Sequence, residues 1–273
     1  MVSRIRFSEG DLTRFDVDGV AFRIGYQGES TRKELCIAKP LGLIEAYAQL
    51  LEDARPATIF ELGISRGGST ALLALLAEPR KLVACELSAE RVGALDWFIR
   101  ERGLEERVRA VYGVDQADKE RLGQIVEEEF DAPLDLVIDD ASHLLDETIA
   151  SFEVLFPRLR PGGLYVVEDW PLHNSYAHAV SLRAAEEEAG GQVRERPWLD
   201  DLGQMLGVDQ PGWERPLSRF VLQLVLARSI SGRAVADLAI DGERVVIRRG
   251  PMAIDPDGFR VTDIYADHFG LLR

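Results

Sequence analysis

Two acidic pairs, each closing an apolar run, carry the chemistry this chain could do: Asp139-Asp140 at the end of LDLVIDD and Glu168-Asp169 at the end of LYVVED. Both runs read as buried parallel strands, and the residues between them read as one crossover helix. Such a strand-helix-strand unit makes the two strands near neighbours, about 5 Å apart. In open α/β sheets, ligands sit at the carboxyl ends of the strands. Up to four carboxylates therefore meet on one rim, where two charges roughly 4 Å apart repel by about 4 kcal/mol at an effective dielectric of about 20. Protons, arginines or a metal ion must relieve that repulsion. His143, three residues beyond Asp140, is close enough to share the site.

These residues need a scaffold, and the pattern from about residue 56 to residue 170 supplies one. Ala57–Leu62 predicts a strand, followed by the loop GISRGGST and an apolar helix. Lys81–Leu87 predicts the second strand, and Ser88 is placed to cap a helix running to Arg102 and stopping at Gly103. Arg107–Val114, Leu134–Asp139 and Leu164–Glu168 predict three more strands, with a helix over about Ala117–Phe130. The crossover helix carries Leu145, Ile149, Phe152, Phe156 and Leu159 on one stripe, and Pro161-Gly162-Gly163 stops it. Five apolar strands joined by helices imply a parallel sheet covered on both faces.

Flanking segments complete the layout. Residues 1–55 hold a hairpin signal at Asp18-Gly19 and a helix over Leu41–Leu51. Residues 171–216 read as irregular, carry Trp170, Tyr176, Trp198, Trp213, His173 and His178 on their length or border, and suit a lid or substrate wall. Leu217–Ile230 predicts a helix, and ADLAIDGERVVIRR a second hairpin. The division expected is an N-terminal extension over 1–55, serving as lid or oligomer contact, and a main domain over 56–273 with 171–216 as an insertion.

Composition narrows the partners. A chain of 273 residues with 46% apolar content suits one α/β domain with additions. A formal net charge of −15 argues against nucleic acid and against an anionic membrane. No apolar run approaches export or transmembrane length, and Cys36 and Cys85 read as two structural thiols, so a cytoplasmic location is expected.

The loop Glu61-Leu62-Gly63-Ile64-Ser65-Arg66-Gly67-Gly68-Ser69-Thr70 joins the first strand to its helix, where glycines let backbone approach a ligand and a helix N-terminus offers free N–H groups. It lacks the second glycine of the dinucleotide fingerprint, which argues against a nicotinamide oxidoreductase, and it lacks the lysine of a Walker loop. Glu86, about 20 residues further on, ends the second strand where an acid accepts from ribose hydroxyls; capping the next helix is its alternative role. Asp115 follows the third strand, with Gln116 beside it to read an adenine edge or Asp115 to cap a helix.

Together the glycine loop and the acids after successive strands resemble class I S-adenosylmethionine-dependent methyltransferases, over about Ala57–Arg249. The resemblance implies a Rossmann-like α/β fold, with a seven-stranded, mostly parallel sheet ending in an antiparallel hairpin and helices on both faces. It implies S-adenosyl-L-methionine as cofactor, held by Glu61, Gly63, Ser65, Gly67, Gly68, Ser69, Glu86, Asp115, Gln116 and Asp139. The IDDASH and VVEDW motifs are similar to those of metal-dependent macrolide-sugar O-methyltransferases of the mycinamicin and tylosin type. That similarity implies Mg²⁺ (or Mn²⁺) on Asp140, Glu168 and Asp169, with His143 as base. It further implies a hydroxylated small-molecule acceptor and a homo-oligomer. Because side chains alternate along a strand, Asp139 and Asp140 should face opposite ways, which leaves Asp139 as a catalytic residue near the cofactor methyl group. A metal-free N- or O-methyltransferase and a non-catalytic binding subunit are the alternative readings.

Overall fold

The structure, a computed structural model, describes residues 4–189, 194–206, 208, 214–230, 232–267, 270 and 272. Strands β1 (Ile5–Ser8), β2 (Asp11–Val17), β3 (Val20–Ile24) and β4 (Leu35–Ile37) form a four-stranded sheet in that order. The β2–β3 turn falls at Asp18 (φ 51°) and Gly19 (φ 77°), the two left-handed positions that an Asp-Gly hairpin signal requires. Helix α1 (Leu41–Ala54) follows and buries Leu43, Ile44, Tyr47, Ala48 and Leu51 at helical spacing.

The main sheet begins with β5 (Thr58–Leu62). After it come α2 (Gly68–Ala77), β6 (Lys81–Glu86), α3 (Gly93–Glu101), β7 (Val108–Tyr112), α4 (Lys119–Glu129) and β8 (Leu134–Asp139). The crossover α5 (Leu145–Leu155) leads to β9 (Leu159–Glu168), then to α6 (Leu172–Glu188), α7 (Trp198–Met205) and α8 (Ser218–Ile230). β10 (Val235–Ile240) and β11 (Arg244–Arg249) close the sheet, whose order is β10-β11-β9-β8-β5-β6-β7. β11 runs antiparallel to both neighbours and the other pairings are parallel, as the sequence predicts. The chain winds outward from β5 to β7 and returns to β8, so the strand order reverses between β5 and β8. That switch point is where an open α/β sheet leaves a crevice.

Alternation along the strands builds two cores. One face carries Ile59, Leu82, Ile138 and Val166 against α1, α2, α3 and the N-terminal sheet, whose Phe15 and Phe22 rings stack at 5.0 Å. The other carries Phe60, Val83, Val137 and Tyr165 against α4, α5 and α8, with Phe152 in contact with the rings of Phe156, Tyr165 and Phe220. The N-terminal segment thus shares a core with the main sheet, and this brings residues before position 55 to the strand rim.

Three sequence expectations change. α3 starts at Gly93, because the Ser88 hydroxyl closes a local turn by accepting from the Glu90 N–H at 3.1 Å and caps no helix. β9 begins at Leu159, and Pro161-Gly162-Gly163 lie inside it, with a register irregularity opposite Leu134–Leu136. Residues 171–216 contain α6 and α7. α6 buries only His173 and Ala179, so no apolar stripe marks it in the sequence. Trp213 and His268 lie outside the described residues. Cys36 and Cys85 are buried free thiols, and among the described residues no helix is long and apolar enough to cross a membrane.

Candidate active site

The glycine loop is tied to the neighbouring strand ends by backbone. Gly63 has φ +95°, its N–H donates to Cys85 O at 2.9 Å, and the Asp140 N–H donates to Leu62 O at 3.0 Å. A Cβ on Gly63 would lie 2.0 Å from the Asp140 carbonyl oxygen, so only glycine allows the two loops to meet. Glu86 Oε2 accepts from the N–H groups of Ile64 (3.1 Å) and Ser65 (2.9 Å), which holds the loop over the end of β6. Its Oε1 accepts from Ser88 N–H at 3.1 Å.

Beside this loop a cavity of about 440 Å³ opens, lined among others by Gly63, Ser65, Glu86, Asp115, Gln116 and Asp140. The size suits a cofactor-scale ligand. Five of the residues expected to bind cofactor thus face it. Glu61, Gly67, Gly68 and Ser69 are not in its lining. The buried Glu61 carboxylate accepts from the hydroxyls of Ser69 and Thr70, both at 2.6 Å, and burial pushes it up to about 7 against those two donors. Gly68 backs onto β4, where a Cβ would lie 2.2 Å from Cys36 O.

Asp139 and Asp140 face opposite ways, as alternation requires. The outcome for Asp139 differs from the expected place beside a methyl group. It is 2% exposed, lies outside the cavity lining and accepts from Gln116 Nε2 (2.6 Å), Ser151 Oγ (2.8 Å) and Tyr165 Oη (2.9 Å). Gln116 is committed there too, its Oε1 accepting from Ser142 N–H at 3.2 Å, so its amide is not free to read an adenine edge. Burial pushes Asp139 up to about 6, against Ser151, Tyr165, His143 and Gln116. A carboxyl raised in the folded state stabilises below its unfolded pKa of about 3.9, and that contribution is lost as pH rises through about 6. The stability of wild type relative to Asp139→Asn is therefore expected to fall by about 3 kcal/mol between roughly pH 4 and pH 7.5, read by denaturant melts. A difference that does not vary with pH would show that the buried carboxyl is not the titrating group.

Asp140, His143 and Asp169 converge: one ligand atom from each lies within 4.8 Å of the others. His143 (φ 58°) and Asp169 (φ 55°) both occupy the left-handed region, a conformation that costs non-glycine residues about 1–2 kcal/mol and concentrates at functional sites. His143 Nε2 is 3.9 Å from Asp169 Oδ2. Burial raises the Asp169 pKa first, with His143 opposing and the Asp140 charge adding. His173, on the first turn of α6, is buried with neither ring nitrogen hydrogen-bonded, and burial followed by His143 lowers its pKa. His178 is exposed on the same helix.

Glu168 belongs to a different arrangement, which the sequence did not announce. Lys39, between β4 and α1, places Nζ 2.6 Å from Asp140 Oδ2 and 2.6 Å from both Glu168 oxygens. Tyr47 Oη donates to Glu168 Oε1 at 2.6 Å. Burial alone would lower the Lys39 pKa, but Asp140 and Glu168 outweigh it and hold the group as an ammonium. Burial and then the Asp140 charge push Glu168 upward, against the pull of Lys39 and Tyr47. A Mg²⁺ ion sits about 2.1 Å from each of its oxygens. An ion shared by Asp140 Oδ2 and Glu168 would need the space that Nζ fills, so the expected set of Asp140, Glu168 and Asp169 does not fit such an ion. Of the remaining set, Asp140, His143 and Asp169, only the two carboxylates are the oxygen donors that Mg²⁺ prefers.

The strand order, the switch-point cavity and the acid at the end of β6 are the arrangement that the resemblance seen in the sequence implies. Residues 60–170 match a family model described as a methyltransferase domain. An 8-demethyl-8-alpha-L-rhamnosyl tetracenomycin-C 2'-O-methyltransferase of Streptomyces olivaceus is 45% identical over 82 residues, covering 24% of this chain and 21% of that protein. A mycinamicin VI 2''-O-methyltransferase of Micromonospora griseorubida is 47% identical over 72 residues, covering 24% of this chain and 17% of that protein. This chain therefore spans only about a fifth of the length of these curated relatives. An O-methyltransferase from Streptomyces achromogenes involved in tomaymycin synthesis, solved with S-adenosylmethionine, shares the fold at a TM-score of 0.51 and 19% identity, over 78% of this chain and 82% of that one.

Proposed function

We propose that this domain transfers the methyl group of S-adenosylmethionine to a hydroxyl of a small molecule, in the class of a sugar carried by a natural product. One observation supports this most: Asp140 is shared, lining the cofactor-sized cavity on one side and joining His143 and Asp169 on the other. A hydroxyl held at that junction lies between a methyl donor and a base. The relatives named as methyltransferases of rhamnosyl and mycinamicin substrates point to the acceptor class.

Bound in the cavity, the cofactor supplies an electrophilic methyl group on a sulfonium. Gly63, Ser65, Glu86 and Asp115 are the residues placed to hold it, with the Glu86 carboxylate at the ribose. His143 would take the hydroxyl proton as that oxygen is methylated. Asp169, at 3.9 Å, favours the resulting imidazolium. Alignment of the acceptor with the methyl carbon is the main requirement of such a displacement. Incubation with methyl-labelled S-adenosylmethionine and a panel of rhamnosylated natural products tests the reading. Label on a sugar oxygen is the expected result. Label only on amine acceptors in a parallel panel, or cofactor binding with no transfer to any acceptor, would contradict it.

A further inference from the structure

The acidic rim contains its own cation. Asp140 and Glu168 stand side by side because β8 and β9 pair in register, with Asp139 opposite Val167. Between them sits the ammonium of Lys39, its side chain 7% exposed, with three carboxylate oxygens at 2.6 Å. The position is built. Lys39 follows β4 and precedes Pro40, the residue that opens α1, and Tyr47 one and a half turns into that helix donates to Glu168. The Tyr47 ring also lies under the lysine, with Nζ 5.6 Å from its centre. Two elements of the N-terminal segment thus deliver one ammonium and one hydroxyl to the rim of the main sheet.

We propose that Lys39 is a resident cation that takes the place of a divalent metal between Asp140 and Glu168, so that methyl transfer here needs no metal. Resting on the methyltransferase reading above, this assigns Lys39 as a positioning residue. By neutralising two adjacent carboxylates it lets Asp140 stay at the cavity wall, three residues from His143, without repelling Glu168. It also leaves the imidazole of His143 free of any metal and able to take a proton. An ammonium can do this where the carboxylates need neutralising and orienting, since it offers three donors from one point charge.

The test is a titration of Mg²⁺ by calorimetry and of Mn²⁺ by electron paramagnetic resonance, on wild-type protein and on Lys39→Ala. S-adenosylhomocysteine binding is measured in the same samples. Wild type is expected to take up neither ion saturably and to keep its rate within about twofold when a chelator is added. Lys39→Ala, which opens the space between the carboxylates, is expected to gain saturable Mn²⁺ uptake. Saturable uptake by wild type that Asp140→Ala abolishes would overturn the proposal, as would a folded Lys39→Ala that takes up no ion. Loss of S-adenosylhomocysteine binding in wild type would instead count against the methyltransferase reading, so the two failures are distinguishable.

Discussion

Replacing His143 with alanine is expected to slow methyl transfer by about 10²–10⁴-fold, the range that a positioned general base contributes. Binding of S-adenosylhomocysteine should be unchanged, because His143 stands outside the cavity lining. The His143 backbone supplies a control. At φ 58° alanine is strained and glycine is not. His143→Gly should therefore be more stable than His143→Ala by about 1 kcal/mol while being equally slow. Rates near wild type in both variants would remove His143 from the mechanism.

Gly63→Ala is expected to lower stability by about 2–4 kcal/mol, combining overpacking with a left-handed residue that carries a Cβ. The new methyl group would meet the Asp140 carbonyl, which is backbone and cannot swing away. For a chain of this size that corresponds to a fall in Tm of roughly 6–12 °C. Function should suffer beyond the loss of stability, because the clash moves Asp140, which joins the cavity to His143. A calorimetric melt together with S-adenosylhomocysteine affinity checks both parts. A variant with unchanged Tm and affinity would show that the two loops do not meet as described.

Much of the architecture was legible because it follows from period and punctuation. Apolar runs broken by glycine or by acidic pairs gave β5, β6, β7 and β8 to within a few residues, and Asp18-Gly19 gave the first hairpin. The α6 helix was not legible, since its exposed Val180 and Leu182 give no apolar stripe and its two buried residues are six apart. Within the site, alternation correctly separated Asp139 from Asp140. What lay behind Asp139 could not be read, because Ser151, Tyr165 and Gln116 come from three other elements. Lys39 was hidden for the same reason. Its one sequence signal is a lone cation in the apolar stretch CIAKPLGLI, and its partners stand 101 and 129 residues away. Pairings across such distances leave no local period to read.

Calorimetric titration of S-adenosylhomocysteine into the wild-type chain, with Glu86→Ala as comparison, tests the central claim most directly. Glu86 both steadies the Ile64–Ser65 backbone and stands where the ribose would lie, so the substitution should remove two supports at once. Saturable one-to-one binding by wild type, weakened by about tenfold or more in Glu86→Ala, is expected for loss of hydrogen bonds to a charged acceptor. Absence of binding by the folded wild-type protein would contradict the assignment of the switch-point cavity, and with it the methyltransferase function.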